Sequence, residues 1–149
     1  MSGSEIANPL DMLGAVERLQ AELVKMPQYE PETRHHFHGG MYCREVWRDV
    51  GVLVVGRVHR KEHFYMVVTG TVLITTDEGV QRVTAPTLLL SKPGARRAVY
   101  SETPALCMTF HRTDATTVED AEIELVEEEE NSMYDALNMV KPQPVEVLS

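Results

Sequence analysis

His59 and His63 stand four residues apart in the run His59-Arg60-Lys61-Glu62-His63. Imidazole pairs suit zinc, iron, nickel or copper, so the spacing raises the question of a metal site. In one straight strand the two would lie about 13 Å apart, at roughly 3.3 Å per residue, too far for a shared ion with ligands about 2 Å away. Joint ligation therefore requires Arg60-Lys61-Glu62 to turn the chain, so that the histidines meet as cross-strand neighbours. The same residues spell His-x-x-Glu-His, an inverted zinc-protease motif, which needs a helix to bring histidines four apart onto one face. The flanks Val52-Leu53-Val54-Val55 and Phe64-Tyr65-Met66-Val67-Val68 are β-branched and aromatic, which argues for strands and against that reading. Tyr65, two residues beyond His63, and His111, at the end of a later strand, are candidate further ligands.

A second cluster, His35-His36-Phe37-His38, precedes Gly39-Gly40. On a strand His36 and His38 would share a face, but so close to two glycines the run reads first as a solvated loop edge. Arginines form the third group. Arg57, Arg60, Lys61, Lys92, Arg96 and Arg97 fall in two short segments. If Arg57 and Arg97 face a pocket, their guanidinium groups suit a carboxylate or phosphate. The plainer alternative pairs them with Glu45, Glu62 or Glu102, or leaves them in water. Ser91 and Ser101 lack the flanking glycines of a nucleophile elbow, and no glycine-rich phosphate loop is present. Trp47 and Phe110 read as core residues.

The elements that must position these groups are legible in the turn signals. Between residues 34 and 111, Gly39-Gly40, Asp49-Val50-Gly51, Thr69-Gly70, Asp77-Glu78-Gly79, Lys92-Pro93-Gly94 and Glu102-Thr103-Pro104 divide short runs rich in Val, Thr, Leu and Tyr. The runs predict strands over 41–48, 52–58, 63–68, 71–76, 80–84, 87–90, 96–100 and 105–111. Many short, evenly spaced strands predict a sandwich or barrel. Before them, residues 8–26 predict an amphipathic helix. Asn8 suits its N-cap and Pro9 its first position; Leu10, Leu13, Val16, Leu19, Leu23 and Met26 form one apolar stripe, and Pro27 ends it. After the strands, Thr116-Thr117-Val118-Glu119 reads as a capping box opening a helix to about Val126. Ser132 to Met139 predicts another turn or two of helix, and Lys141 to Ser149 an extended tail.

The run from Gly56 to His111 resembles a cupin. Gly70 matches the glycine that closes the first cupin motif; seven residues back His63 takes the place of the family's Glu, and His59 that of the second His of its pair. Arg57 takes the first His position. Pro93 and Gly94 match the turn of the second motif, where Arg97 takes the His position. The layout also resembles small cupin-like proteins of phage genomes. The resemblance implies a mainly β, cupin-like jelly-roll barrel with an N-terminal amphipathic helix and short C-terminal helices. It implies three segments: an N-terminal helical segment over 1–33, the barrel over 34–112 and an acidic C-terminal extension over 113–149. Arginines at two of the family's ligand positions depart from its metal site and argue for charge in the pocket; from the residues themselves, His59, His63 and His111 are the candidate metal ligands, and Arg57, Tyr65 and Arg97 the candidate ligand-binding groups.

Bulk properties set the outer limits. A chain of 149 residues, 43% hydrophobic and 25% charged, fits one globular core. No run reaches the roughly 20 apolar residues of a membrane helix, and the N-terminus lacks a basic region followed by an apolar one, so a cytoplasmic protein is expected, in a host cell or virion if phage-encoded. Two cysteines, Cys43 and Cys107, make neither a disulfide framework nor zinc spacing. The net charge of −9 is concentrated: residues 119–130 hold eight acidic residues and no base, so the rest is nearly neutral. An acidic chain argues against nucleic-acid binding, and the acidic run reads as a solvated helix face or a docking tail. Three functions follow as expectations. The first is a non-enzymatic cupin-like protein acting by binding or assembly, as a homo-oligomer or with other virion proteins, in the manner of a phage accessory or virion-associated protein. The second is a metal-dependent enzyme of the dioxygenase or isomerase type, with a divalent transition metal as cofactor. The third is a protein that binds or sequesters a small anionic ligand.

Overall fold

The structure is a computed structural model that describes residues 9–25 and 29–128, with side chains in the first helix from Gly14 onward. Helix α1 (Pro9–Leu23) is followed by nine strands: β1 (Glu32–His38), β2 (Met41–Arg48), β3 (Leu53–Val55), β4 (His63–Thr69), β5 (Thr71–Thr76), β6 (Gly79–Thr84), β7 (Thr87–Ser91), β8 (Ala98–Ser101) and β9 (Ala105–Arg112). Helix α2 (Val118–Leu125) follows. Five strands in the order β1-β2-β9-β4-β7 form one sheet and four in the order β3-β8-β5-β6 the other, all paired antiparallel. The architecture is thus mainly β and jelly-roll-like, as the resemblance implies.

The run His35–His38, which the neighbouring glycines make a loop edge by sequence, belongs to strand β1. It is a strand because Gly39 and Gly40, both at positive φ (59° and 77°), close a two-residue hairpin that lays Glu32–His38 along β2. Its residues alternate strictly between exposed and half-buried, with His35 and Phe37 inward and His36 and His38 outward. Strand β3 is shorter than the predicted 52–58. Beyond Val55 the chain leaves the ladder and is held instead by single bonds to the loop after β7: Gly56 N–H donates to Arg97 O (2.9 Å), and His59 N–H to Ala95 O (3.0 Å).

The sheets enclose two kinds of interior. At one end Tyr65, Val67, Val72, Ile74, Val83, Val99, Ala105 and Cys107 make an apolar core. Toward the other end the inward positions turn polar. Alternation along β2 sends Tyr42, Arg44, Val46 and Arg48 inward, and along β9 it sends Cys107, Thr109 and His111. Helix α1 covers the β3–β8 edge: Val16 packs with Val55 and Ala98, and Leu19, Leu23 and Leu53 close around them. The stripe therefore lies against the barrel where it is described; Asn8, Met26 and the side chains of Leu10 and Leu13 fall outside the described residues, as do the helix expected at 132–139 and the tail from 141. Helix α2 is capped by Thr117 rather than Thr116: Thr117 Oγ1 accepts from Asp120 N–H at 3.2 Å. Trp47 and Phe110 lie on the outer face of the five-stranded sheet rather than in the core, since each is one position out of phase with the inward residues of its strand; Trp47 is 39% exposed. Cys43 and Cys107 are both free thiols.

Gly70 turns β4 into β5 at φ 83°, where an added Cβ would overlap the Pro104 carbonyl and come within 2.8 Å of Thr103 Oγ1 and 2.9 Å of Ala105 Cα. Gly70→Ala is expected to destabilise the fold by at least about 2 kcal/mol, combining left-handed strain with a backbone overlap. Urea unfolding would check this: a midpoint equal to that of the parent would show that the turn relaxes freely.

Candidate metal centre and its cavity

Two strands and one irregular segment bring the imidazoles together. His111 lies near the end of β9 and His63 opens β4; the register that pairs Phe64 with Phe110 puts these neighbours side by side on the inner face. His59 comes from the irregular segment after β3. Its carbonyl accepts from Gly94 N–H at 2.8 Å, and it forms an isolated bridge with Val126 just beyond α2. Ring centroids lie 4.2 Å apart for His59–His63, 4.5 Å for His63–His111 and 5.5 Å for His59–His111. One ligand nitrogen from each lies within 4.8 Å of the others. Two ligands bound at about 2.1 Å to one tetrahedral ion stand about 3.4 Å apart, so a modest ring rotation would complete a shared site. The donor set fits a divalent transition metal.

The histidines are held neutral, which is the form that ligates. Burial drives His59 down to about 2, with His63, His111 and Arg44 adding repulsion and the Arg57 backbone opposing. Burial drives His111 to about 3, with His63 and Arg44 contributing. His63 is lowered by burial, opposed by the Lys61 backbone and assisted by Arg97. Two of the rings also have a partner that can fix the tautomer. His63 Nδ1 lies 3.3 Å from Lys61 O, which in the neutral ring accepts its proton and leaves Nε2 for a metal. His111 Nε2 lies 2.8 Å from Thr109 Oγ1. Tyr42 stacks on His111 (5.6 Å) and on Phe37 (4.4 Å), and its hydroxyl lies 2.6 Å from His35 Nδ1. Such neighbours orient ligands as firmly as the ligands orient a metal. The His35-His36-Phe37-His38 run thus supports the centre through His35 and Phe37, while His36 faces Glu45 outside at 3.8 Å.

The imidazoles border a cavity of about 140 Å³ between the sheets, walled also by Arg44, Val46, Arg48, Val54, Tyr65 and Arg97. Cavities of about 150 Å³ admit a benzene-sized molecule. Arg97 lines it but is tied to the wall: Nε donates to Ser91 Oγ (2.9 Å), Nη1 to Thr75 O (2.8 Å) and Nη2 to Leu90 O (3.4 Å), with the guanidinium 5.6 Å above the Tyr65 ring. The Tyr65 hydroxyl accepts from Arg48 Nη2 at 3.5 Å, and burial raises its pKa well above the usual phenol value. Arg57 sits at the mouth, where Nη1 donates to Glu122 Oε1 at 2.7 Å and Nη2 to Glu127 O. Helix α2 closes that mouth. Ala121 and Leu125 pack against Tyr42 and Phe37, Arg60 Nε donates to Val126 O (2.9 Å), and Lys61 faces Glu124 at 3.7 Å. Part of the acidic run is therefore paired to the barrel rather than solvated.

Arg44 and Arg48 went unnoticed in the sequence. The signal was present in the alternation Tyr42-Arg44-Val46-Arg48, which places both arginines on the face of a buried tyrosine and valine.

No family model matches the chain, and no curated protein matches it in sequence. Solved structures do resemble it. A cupin superfamily protein from Desulfitobacterium hafniense superposes with a TM-score of 0.50 at 12% identity, over 63% of this chain and 87% of that one. The fold is cupin-like. KdgF from Halomonas sp. gives 0.53 at 12% identity, over 64% and 89%. Salicylate 1,2-dioxygenase from Pseudoaminobacter salicylatoxidans gives 0.54 at 8% identity, over 77% of this chain and 34% of that one. At such identities the likeness is one of fold. Within the cupin-like frame His59 and His63 come from the first motif segment, whereas the third imidazole comes from β9, outside both motifs. Arg97, at the second motif's His position, points to Ser91 and Thr75 rather than to the imidazoles.

The depressed histidines predict a pH dependence in metal-free protein. Unfolded, each titrates near 6.5; folded, His59 and His111 stay neutral well below that, and His63 is shifted in the same direction. Their contribution to stability is complete above pH 6.5 and is lost as pH falls toward the folded values, by up to about 1.4 kcal/mol per pH unit per histidine. Urea unfolding with chelator between pH 6.5 and 5 should show this loss, and His111→Gln should flatten the slope by one histidine's share. An unchanged slope in the variant would show that His111 titrates normally in the fold.

Proposed function

We propose that the chain is a metal-dependent cupin that acts on a small molecule, with His59, His63 and His111 holding a divalent transition metal. One observation carries the reading: three neutral imidazoles converge within 4.8 Å at the wall of a cavity large enough for a small organic ligand. A buried cluster of three histidines with nothing to ligate is costly, because the rings lose water and repel each other's protons. A metal with three protein ligands keeps a coordination position for substrate and acts there as a Lewis acid. The protein's share of the work is positioning and dryness. Thr109, Lys61 and Tyr42 hold the rings, and α2, latched by Arg57–Glu122, keeps bulk water from the mouth. Metal analysis of chelator-treated protein reconstituted with zinc, iron, manganese, nickel or copper should find about one ion per chain. His63→Ala should lower the affinity at least tenfold. A parent protein that retains no metal after desalting would end this reading.

The assembly reading draws on a different observation. The outer face of the five-stranded sheet is apolar around Phe64 (48% exposed), which pairs with Leu90 and Phe110, while Met66 pairs with Leu88 and Met108. Patches of this kind on soluble proteins mark contact surfaces, and a second copy of the chain presents the same apolar face. Light scattering should give the mass of a dimer or larger, and Phe64→Glu should shift it toward the monomer; a monomeric parent would remove the reading.

A further inference from the structure

We propose that the cavity binds a small organic carboxylate, anchored by Arg44 and Arg48. The inference names the substrate class of the metal-dependent site and rests on that reading for the ligand's chemical fate, though not for its binding.

The argument begins with an imbalance of charge. Of the charged residues lining the cavity, four are arginines (Arg44, Arg48, Arg57, Arg97) and one is a carboxylate, Glu122. Glu122 is taken by Arg57 at 2.7 Å, and the three donor nitrogens of Arg97 go to Ser91, Thr75 and Leu90. Arg44 and Arg48 remain. Among the described residues neither forms an ion pair, and Nε of Arg44 with Nε and Nη1 of Arg48 are buried without a hydrogen-bond acceptor. Guanidinium groups do not shed their charge, so the interior of a protein with net charge −9 holds two uncompensated cations. Isolated buried cations are among the costliest features a fold can carry, and an anion from outside the chain would satisfy them.

The walls select the anion. Val46, Val54, Val99 and Cys107 line the same cavity, and the face of Tyr65 separates the Arg48 end from Arg97. An inorganic ion would leave these apolar surfaces without contact. A carboxylate joined to a compact carbon body matches both parts: oxygens on the arginine nitrogens, carbon against the valines. The volume of about 140 Å³ limits that body to roughly the size of a benzene ring. Arg44, Arg48 and the three histidines line the same cavity of about 140 Å³, so one small ligand can reach from the arginines to the histidine centre.

The test uses the full chain, treated with chelator, in thermal-shift and calorimetric titrations. Benzoate and succinate are the probes, benzamide the uncharged counterpart and inorganic phosphate the ion without a carbon body. Benzoate or succinate at ten times its Kd should raise Tm by about 4 °C, while benzamide and phosphate leave it unchanged. Arg44→Met and Arg48→Met should each abolish the shift. Both variants should also melt at or above the ligand-free parent, because each removes an unpaired buried cation, a gain that a merely structural arginine would not give. His63→Ala should keep the carboxylate shift while losing metal, which separates this inference from the metal reading. A parent that responds to neither carboxylate, or responds to phosphate alone, overturns the proposal. So do arginine variants that melt below the parent, since the guanidinium groups would then have acceptors within the chain.

Discussion

Two guanidinium groups and three imidazoles share one small interior, and the cost of burying positive charge there, to which their mutual repulsion adds, is the constraint on the rest of the site. Arg44 opposes protonation of both His59 and His111, Arg97 opposes it at His63, and the histidines oppose it in one another. Burial is the larger force on each ring, so all three are neutral lone-pair donors. The arginines cannot escape in the same way. The cavity therefore combines a neutral donor cluster suited to a cation with fixed positive charge suited to an anion. A metal and a carboxylate bound together would offset each other's cost, whereas either alone would meet part of the site unpaired.

The jelly-roll layout makes that combination affordable. Its apolar core is confined to the end of the sandwich around Val67, Val72 and Ile74, and carries the hydrophobic stabilisation there. The other end is free to turn polar because α2 closes it from outside the sheets. The closure depends on the irregular segment 56–60. Leaving the ladder after Val55, that segment presents Arg57 and Arg60 to α2 and turns His59 into the cavity. The short length of β3 is thus a working feature: had the ladder run on to Val58, His59 would follow the pleat and the latch would have no anchor.

Most of the β framework could be read from the chain, because its punctuation is local. Positive-φ glycines such as Gly39, Gly40 and Gly70, with the runs of Val, Thr and Leu between them, mark hairpins through steric rules that act within a few residues. The failures were also local in origin. Glu32–His38 has little β-propensity, and only its pairing with β2 makes it a strand. Size alone puts Trp47 in the core, but the alternation of its strand sends it outward.

By itself the sequence determined which residue types could do chemistry and where glycine and proline divide the chain into strands; it placed His59 and His63 across a hairpin, whereas β3 and β4 lie in different sheets and His59 reaches His63 from an irregular segment. Only the tertiary structure decided which of those groups share a space. His111 joins the pair because the β4–β9 register, fixed between residues more than 40 positions apart, sets Phe64 against Phe110. Arg57 and Arg97 spend donors on Glu122, Ser91 and Thr75, while Nε of Arg44 and Nε and Nη1 of Arg48 are left buried without acceptors. Hydrogen-bond satisfaction is a property of the neighbours that folding supplies, and those neighbours lie far away along the chain.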